Sequence, residues 1–314
     1  MNKTTSGEQG IGQTKPGMNR RSKIARSPQV ALKYQAKLTR RWLRRTQQML
    51  SYNLLFLRGV PVLFANSFPK SGTHLLTQVL QGFPQIGPAV DSGLPPIVLF
   101  DPLNGRQRSQ AEVLHDLDIL RPGDIAYGHL HADRGVVEHL CQPGYVTYFI
   151  LRDPRDVVVS HVYYITEMET SHIHHRYYVE QLRDFDECLR TSITGIPDPD
   201  VPFPDIQQRF VPFLEWLEHS EVLALRYEDF LANHEPTLGL VFDHALHRGF
   251  PAAVKRDEAL RILSKSIDPQ RSPTYRSGKA GGWREKFSPE NTRLFKDIAG
   301  DLLIRLGYEQ KNDW

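Results

Sequence analysis

The apolar runs of this chain are short, and each ends in a polar or glycine-bearing turn. Tyr145-Val-Thr-Tyr-Phe-Ile-Leu151 carries β-branched and aromatic residues without alternation, as expected of a central parallel strand buried on both faces. Val60-Pro-Val-Leu-Phe64, Gly123-Asp-Ile-Ala-Tyr-Gly-His-Leu-His131, which ends at its glycine, and Glu221-Val-Leu-Ala-Leu-Arg226 predict three more strands. Helical patterns lie between and after them: Leu75 to Leu80, a segment closing at Leu140, Asp156 to Ile165, and about 235–247, 255–265 and 289–307. Strands alternating with helices predict an α/β fold, a parallel central sheet flanked by helices. Ligands of such sheets sit beyond the carboxyl ends of the strands. Gly82 to Pro102 and Glu167 to Pro204 break the rhythm and read as irregular segments of the kind that wall a pocket.

The first 50 residues differ from the rest. They hold 12 Lys and Arg against a single acid, Glu8, whereas acids outnumber bases in the remainder. Residues 1 to about 28 have almost no aliphatic side chains and are expected to be disordered. From Pro28 to Leu50, Ala31, Tyr34, Leu38, Trp42 and Met49 mark one helical face among arginines. That helix is expected to pack on the body with its arginines in solvent, or to dock on an anionic membrane surface or acidic partner. The division is therefore a basic tail, 1–49, and one domain, 50–314. Arg58, Gly59 and Pro61 interrupt Tyr52 to Phe64, which falls well short of the ~20 residues of a spanning helix. Cys141 and Cys188 stand far apart and suggest no disulfide framework, so a cytoplasmic setting is expected, with peripheral membrane contact through the basic tail as an option.

Three segments carry candidate chemistry. Phe68-Pro-Lys-Ser-Gly-Thr-His74 joins the first strand to the first helix and forms a P-loop-like anion cradle: helix-terminal N–H groups, small residues, and a lysine beside them. Gly72 follows Lys70, the reverse of a nucleotide triphosphatase loop, which argues against a Walker ATPase. Arg152-Asp-Pro-Arg-Asp156 leaves the buried strand, with Ser160 one helical turn beyond. It offers an arginine fork and a hydroxyl to a second phosphate, although such a run also neutralises itself at many turns. Tyr275-Arg-Ser-Gly-Lys-Ala-Gly-Gly-Trp-Arg-Glu-Lys-Phe287 puts four cations among three glycines, as expected of a lid over an anion or of a solvated loop. Trp283 and Phe287 should anchor its end in the core. His172, His174 and His175 lack a matching carboxylate or cysteine spacing, and no metal site is expected of them.

Together these segments resemble the soluble, cytosolic-type sulfotransferases that use 3′-phosphoadenosine-5′-phosphosulfate. The phosphosulfate loop of that family is similar to Phe68–Thr73, its 3′-phosphate motif to Ile150–Ser160, its closing R-x-G-x-x-G-x-W motif to Arg276–Trp283, and its Y-E-D segment to Leu225–Phe230. The similarity spans roughly residues 60 to 308. It implies that Lys70 meets the bridging region of the donor while Ser71, Gly72, Thr73 and His74 donate to its 5′-phosphate. Arg152, Ser160, Arg276, Ser277 and Gly278 would hold the 3′-phosphate, and Tyr227 would lie against adenine. The residues alone leave His129 and His131 as equal candidates for a general base, and the resemblance implies His129, with Lys70 and Ser160 completing the catalytic set. The implied acceptor is a small-molecule, lipid or carbohydrate hydroxyl, or an amine, with neither a metal nor a nucleic-acid partner expected.

Three features depart from the family pattern. Tyr127 replaces a lysine two residues before the base, Leu75 replaces the adenine-stacking tryptophan, and Ser288, Pro289 and Arg293 break the usual dimer motif, so no oligomeric state is assigned. Rival readings are a kinase-like nucleotide phosphotransferase, which should need Mg²⁺ and ATP, and a non-catalytic phosphonucleotide-binding module. Retention of Lys70, His129 and Ser160 together argues against the second.

Overall fold

The computed structural model describes residues 28–101, 105–197, 203–272, 275–276 and 278–314. The disorder expected before residue 28 therefore falls on positions outside the description.

Six strands form one parallel sheet: β1 (Val62–Ser67), β2 (Val90–Asp91), β3 (Ile97–Val98), β4 (Asp124–His129), β5 (Tyr145–Leu151) and β6 (Val222–Arg226). Their order is β2-β4-β1-β5-β6, with β3 also pairing with β4. The expected parallel sheet flanked by helices is therefore present. The seven residues of β5 are all buried, and alternate ones feed two separate cores. Tyr145, Phe149 and Leu151 join Val62 and Phe64 on one side, and Val146, Tyr148 and Ile150 join Leu63 and Ala65 on the other. This two-sided demand is why the run does not alternate.

The helices named below are α1 (Pro28–Ser51), α2 (Thr73–Leu80), α3 (Gln110–Asp118), α4 (Arg134–Cys141) and α5 (Pro154–Tyr163). Helices at His234–His247, Arg256–Ser266 and Pro289–Arg305 match the expected 235–247, 255–265 and 289–307. The first strand starts two residues later than its apolar run, at Val62, because Pro61 has no N–H for the ladder. It then continues through Asn66 and Ser67, whose polarity hid the strand end. Helix α3 went unread although Ser109 and Glu112 form a reciprocal capping box at its start. Gly82 to Pro102 is less irregular than expected, since β2 and β3 lie within it; Pro102 is outside the described residues. Glu167 to Pro204 likewise contains helices at His175–Glu180 and Phe185–Thr194.

Helix α1 packs on the sheet edge, but with a different face inward. Arg41 is buried and ion-paired with Asp124, itself fully buried, while Arg45 donates to the same carboxylate at 2.9 Å. Asp124 also accepts from the Arg121 backbone N–H at 2.8 Å. Trp42, read as part of the packing face, is 62% exposed. At about 100° per residue, turning Arg41 and Arg45 inward swings Trp42 and Leu43 outward. The carboxylate at the start of β4 decides this, and no helical periodicity reports it. Among the described residues no helix is long and apolar enough to cross a membrane.

Asp124→Ala strands two buried or half-buried guanidinium groups. Its unfolding free energy should fall by about 3 kcal/mol, the cost typical of breaking a buried pair. Urea denaturation measures this, and an unchanged midpoint would mean that the Arg41 pair does not hold α1 to the sheet.

Candidate functional site

The site begins where β1 ends. The Asn66 amide donates to the Leu130 carbonyl at 3.0 Å and accepts from its N–H at 2.9 Å, clamping the exits of β1 and β4 together. Beyond Ser67 the chain turns sharply, with left-handed backbone at Lys70 (φ 68°) and Gly72 (φ 99°). A Cβ at Gly72 would stand 2.7 Å from the Tyr227 ring, so only glycine allows this approach. Phe68 holds the base of the turn by stacking on Phe210 at 3.7 Å between ring centroids. Helix α2 follows, presenting the unpaired N–H groups of its first turn to the same side.

A cavity of about 520 Å³ opens above this turn, at the carboxyl ends of β1, β4 and β5. Lys70, Gly72, Thr73, His74, His129, Arg152, Ser160, Tyr227, Arg276 and Gly278 all line it. Residues more than 200 positions apart in sequence thus share one wall. Ser71 lies behind the lining: its N–H bonds to the Phe68 carbonyl at 3.2 Å, and its buried Oγ has no hydrogen-bond partner. Ser277 lies outside the described residues. Leu75 and Tyr127 also face the cavity.

Lys70 has no carboxylate partner among the described residues. Its ammonium sits 3.8 Å from the centre of the Tyr164 ring. Burial, then the nearby Arg152 and Arg276, push its pKa down to about 7. Arg152 is half-buried, lies 4.6 Å from the Tyr227 ring and 3.4 Å from Asp156, and donates to the Lys279 carbonyl at 2.8 Å. Its Nε is buried without a partner among the described residues. Arg276 rests over the Tyr163 ring at 4.1 Å. Partnerless buried donors beside a crowded set of cations fit an anion better than they fit one another.

His129 is fixed by β1. Its Nδ1 lies 3.0 Å from the Ser67 carbonyl oxygen, which can only accept, so Nδ1 carries the proton and Nε2 the lone pair. Ser67 Oγ lies 3.0 Å from the same nitrogen and 2.8 Å from Thr73 Oγ1, linking the histidine to the anion turn. Burial first, and the nearby His74 and Lys70 as well, lower the His129 pKa to about 4, so the ring is neutral around pH 7. His131 parts company with it. The strand ends at His129, the alternation lapses, and His131 packs edge-on to Phe213 at 4.8 Å, lining a different cavity with Asp133 and Gln110. The Tyr127 hydroxyl is held protonated by burial and by Asp91, which raise its pKa, and it remains a donor.

The Arg-Asp-Pro-Arg-Asp run divides into two functions. Arg155 is buried against Asp153 at 2.7 Å and Glu309 at 2.6 Å and sits over Trp283 and Trp314, which makes it structural. Asp156 instead accepts from the backbone N–H groups of Gly281 at 2.7 Å and Trp283 at 2.9 Å. The glycine-rich segment is therefore pinned over the cavity by one carboxylate, with Trp283 buried as its anchor.

Several lining residues were not read from the sequence. Tyr164 opens a single π-helical turn, Tyr164–Met168, after α5, and nothing in the pattern marks that widening. Phe230, Leu231 and His234 face the cavity just beyond Tyr227. Phe230 closes the Tyr-Glu-Asp-Phe segment and could have been found there. The three clustered histidines do not converge on one point: the His175 ring donates to the Ile165 carbonyl, and His172 Nδ1 accepts from the His174 N–H. The described residues that do approach metal-ligand spacing are Cys141, His219 and Glu221, at the opposite ends of the strands.

Comparison with known proteins accords with this geometry. A family model for the sulfotransferase domain matches residues 62–307. The fold is similar to that of mouse sulfotransferase SULT7A1 complexed with PAP, at 18% identity and TM-score 0.52, over 84% of this chain and 90% of that one. It is also similar to retinol dehydratase in complex with androsterone and inactive cofactor PAP, at 16% identity and TM-score 0.52, over 84% and 85% of the two chains. At such identities the structural likeness is one of fold, whereas the family match spans most of the chain. The chain belongs to the sulfotransferase family.

Proposed function

We propose that the protein transfers a sulfuryl group from 3′-phosphoadenosine-5′-phosphosulfate to a hydroxyl group of a small-molecule acceptor. The observation that carries this reading is the convergence of Lys70, Arg152 and Arg276 on one cavity beside His129, with no carboxylate among the described residues paired to Lys70. A donor with phosphate at both ends needs two anion sites. The turn at 68–74 supplies one, with Lys70 and the first N–H groups of α2 as donors. Arg152, Ser160, Arg276 and Gly278 supply the other. The Tyr227 ring, with Phe230 and Leu231 beside it, offers the apolar wall for adenine that Leu75 alone lacks. PAP in the similar sulfotransferase and retinol dehydratase structures accords with such a ligand.

Sulfuryl transfer resembles phosphoryl transfer, in which positioning and charge stabilisation do most of the work. His129 Nε2 takes the proton as the acceptor oxygen forms its bond to sulfur. Lys70 stabilises the charge gathering on the phosphate oxygen as its bond to sulfur breaks. Tyr127, through its hydroxyl, donates to the transferring group where related proteins use lysine. Ser67 keeps His129 in the productive tautomer.

Radiolabelled donor and a panel of phenol, sugar and lipid alcohols test the assignment. Lys70→Ala and His129→Ala should each lower kcat about 10²- to 10⁴-fold, while His131→Ala should stay within about threefold of the unmodified chain. Transfer indifferent to both of the first two changes would sink the mechanism. Tight binding of PAP without transfer to any acceptor would instead favour a binding module.

The depressed pKa of Lys70 makes donor affinity pH-dependent. An anion binds the protonated lysine, so above pH 7 binding must take up a proton. The Kd for PAP, measured by calorimetry, should rise by up to about tenfold per pH unit above 7, and Lys70→Arg should flatten that rise. A rise of equal steepness in Lys70→Arg would place the titration elsewhere.

Asp156→Ala releases the Gly281 and Trp283 N–H groups and should weaken PAP about tenfold or more, the equivalent of one lost charge-assisted hydrogen bond. Unchanged affinity with an intact fold would show that the glycine segment does not close on the donor.

A further inference from the structure

The sequence singled out the basic N-terminal helix, and the transfer reaction makes no use of it. Its outward face mixes large apolar side chains with Lys37, Arg40, Arg44 and Gln47, and the apolar ones continue past the helix end. Leu55 is 86% exposed, Leu50 75%, Phe56 66%, Trp42 62% and Leu43 54%. Exposed leucines scattered singly are ordinary, but a run of neighbours on one surface signals an interaction. Leu43 and Leu50 are seven residues apart and share one stripe of α1, and Leu54, Leu55 and Phe56 follow in the turn after the helix.

This surface cannot turn inward. Arg41 and Arg45 tie α1 to Asp124, the Tyr52 hydroxyl donates to the Pro84 carbonyl at 3.1 Å, and Leu57 and Val60 are buried in the core on the other side. The segment is thus held rigidly with its apolar side chains outward.

The segment's own charge has one sign, and the acid on the neighbouring strand, Asp91, is paired with its Arg44 at 3.1 Å. No Asp or Glu occurs from residue 9 to residue 90. Lys37, Arg40 and Arg58 are exposed around the apolar side chains, with the Arg58 guanidinium 5.6 Å from the Phe56 ring. Residues 1–27 add six bases and one acid. A second copy of the chain would bring like charges face to face across such a patch, whereas an anionic lipid surface complements it.

We propose that residues 37–58 form a membrane-docking surface, in which Trp42, Leu43, Leu50, Leu54, Leu55 and Phe56 enter the headgroup–acyl boundary of an anionic bilayer while Lys37, Arg40 and Arg58 contact lipid phosphates. The surface is independent of the donor site and does not depend on the reaction proposed above.

Co-sedimentation of the full chain with vesicles tests this. It should bind phosphatidylcholine–phosphatidylglycerol vesicles and bind pure phosphatidylcholine at least about tenfold more weakly, since basic residues near an anionic surface add attraction one by one. A Leu54→Ser, Leu55→Ser, Phe56→Ser variant should lose at least about tenfold in vesicle affinity while retaining PAP affinity, which also reports that it is folded. Trp42 emission should shift to the blue on vesicle addition, and Trp42→Phe should abolish the shift. Equal sedimentation of the triple-serine variant would overturn the proposal. So would a chain that ignores vesicles but self-associates in light scattering through these same residues, since that result marks a protein–protein surface.

Discussion

Crowded positive charge, only part of it paired, is the constraint around which this domain is built. Lys70, Arg152 and Arg276 face one cavity, and burial, with repulsion from the two arginines added to it, brings the lysine down to about 7. Such crowding opposes folding, so the scaffold has to impose it. The scaffold does so with apolar and backbone forces: β1 and β5 are buried in two cores at once, the Asn66 amide clamps the neighbouring strand exit, and Phe68 stacks beneath the turn. The binding of an anion, as proposed above, would relieve the repulsion that the fold has to overcome.

The same residue type serves opposite ends according to its surroundings. Arg155 is saturated by Asp153 and Glu309 and covered by two tryptophans, while Arg152, three residues earlier, keeps a buried Nε without a partner. Arg41 fastens α1 to the body, while Arg40 beside it is exposed. Asp156 acts on backbone N–H groups across the cavity as well as on its neighbouring arginine, and thereby couples the strand exit to the glycine segment. A single carboxylate joins Arg152 to the glycine segment.

Much of the anion site was legible because close approach of backbone to an oxyanion restricts residue choice. Gly72 has to lack a side chain, since Tyr227 stands where a Cβ would go. Lysine and arginine beside such glycines at strand ends leave few readings, and these positions line one cavity. Less legible were features set by contacts remote in sequence. Tyr164 meets Lys70 only because one turn after α5 widens, and His131 leaves the site only because β4 stops one residue after Gly128. The face that α1 buries was misread: hydrophobic periodicity pointed to Trp42, and a buried carboxylate chose Arg41.

By itself the sequence determined the strand and helix alternation, the parallel sheet and the residue types that line the cavity, because these depend on local periodicity and on short spacings around glycine. The tertiary structure alone decided which histidine faces the cavity, that Lys70 has no carboxylate partner among the described residues, that Asp156 pins the glycine segment, and that Trp42, Leu43 and Leu50 of α1 remain outside. Each of these turns on which distant groups become neighbours, and on the desolvation and charge those neighbours impose, which residue order does not record.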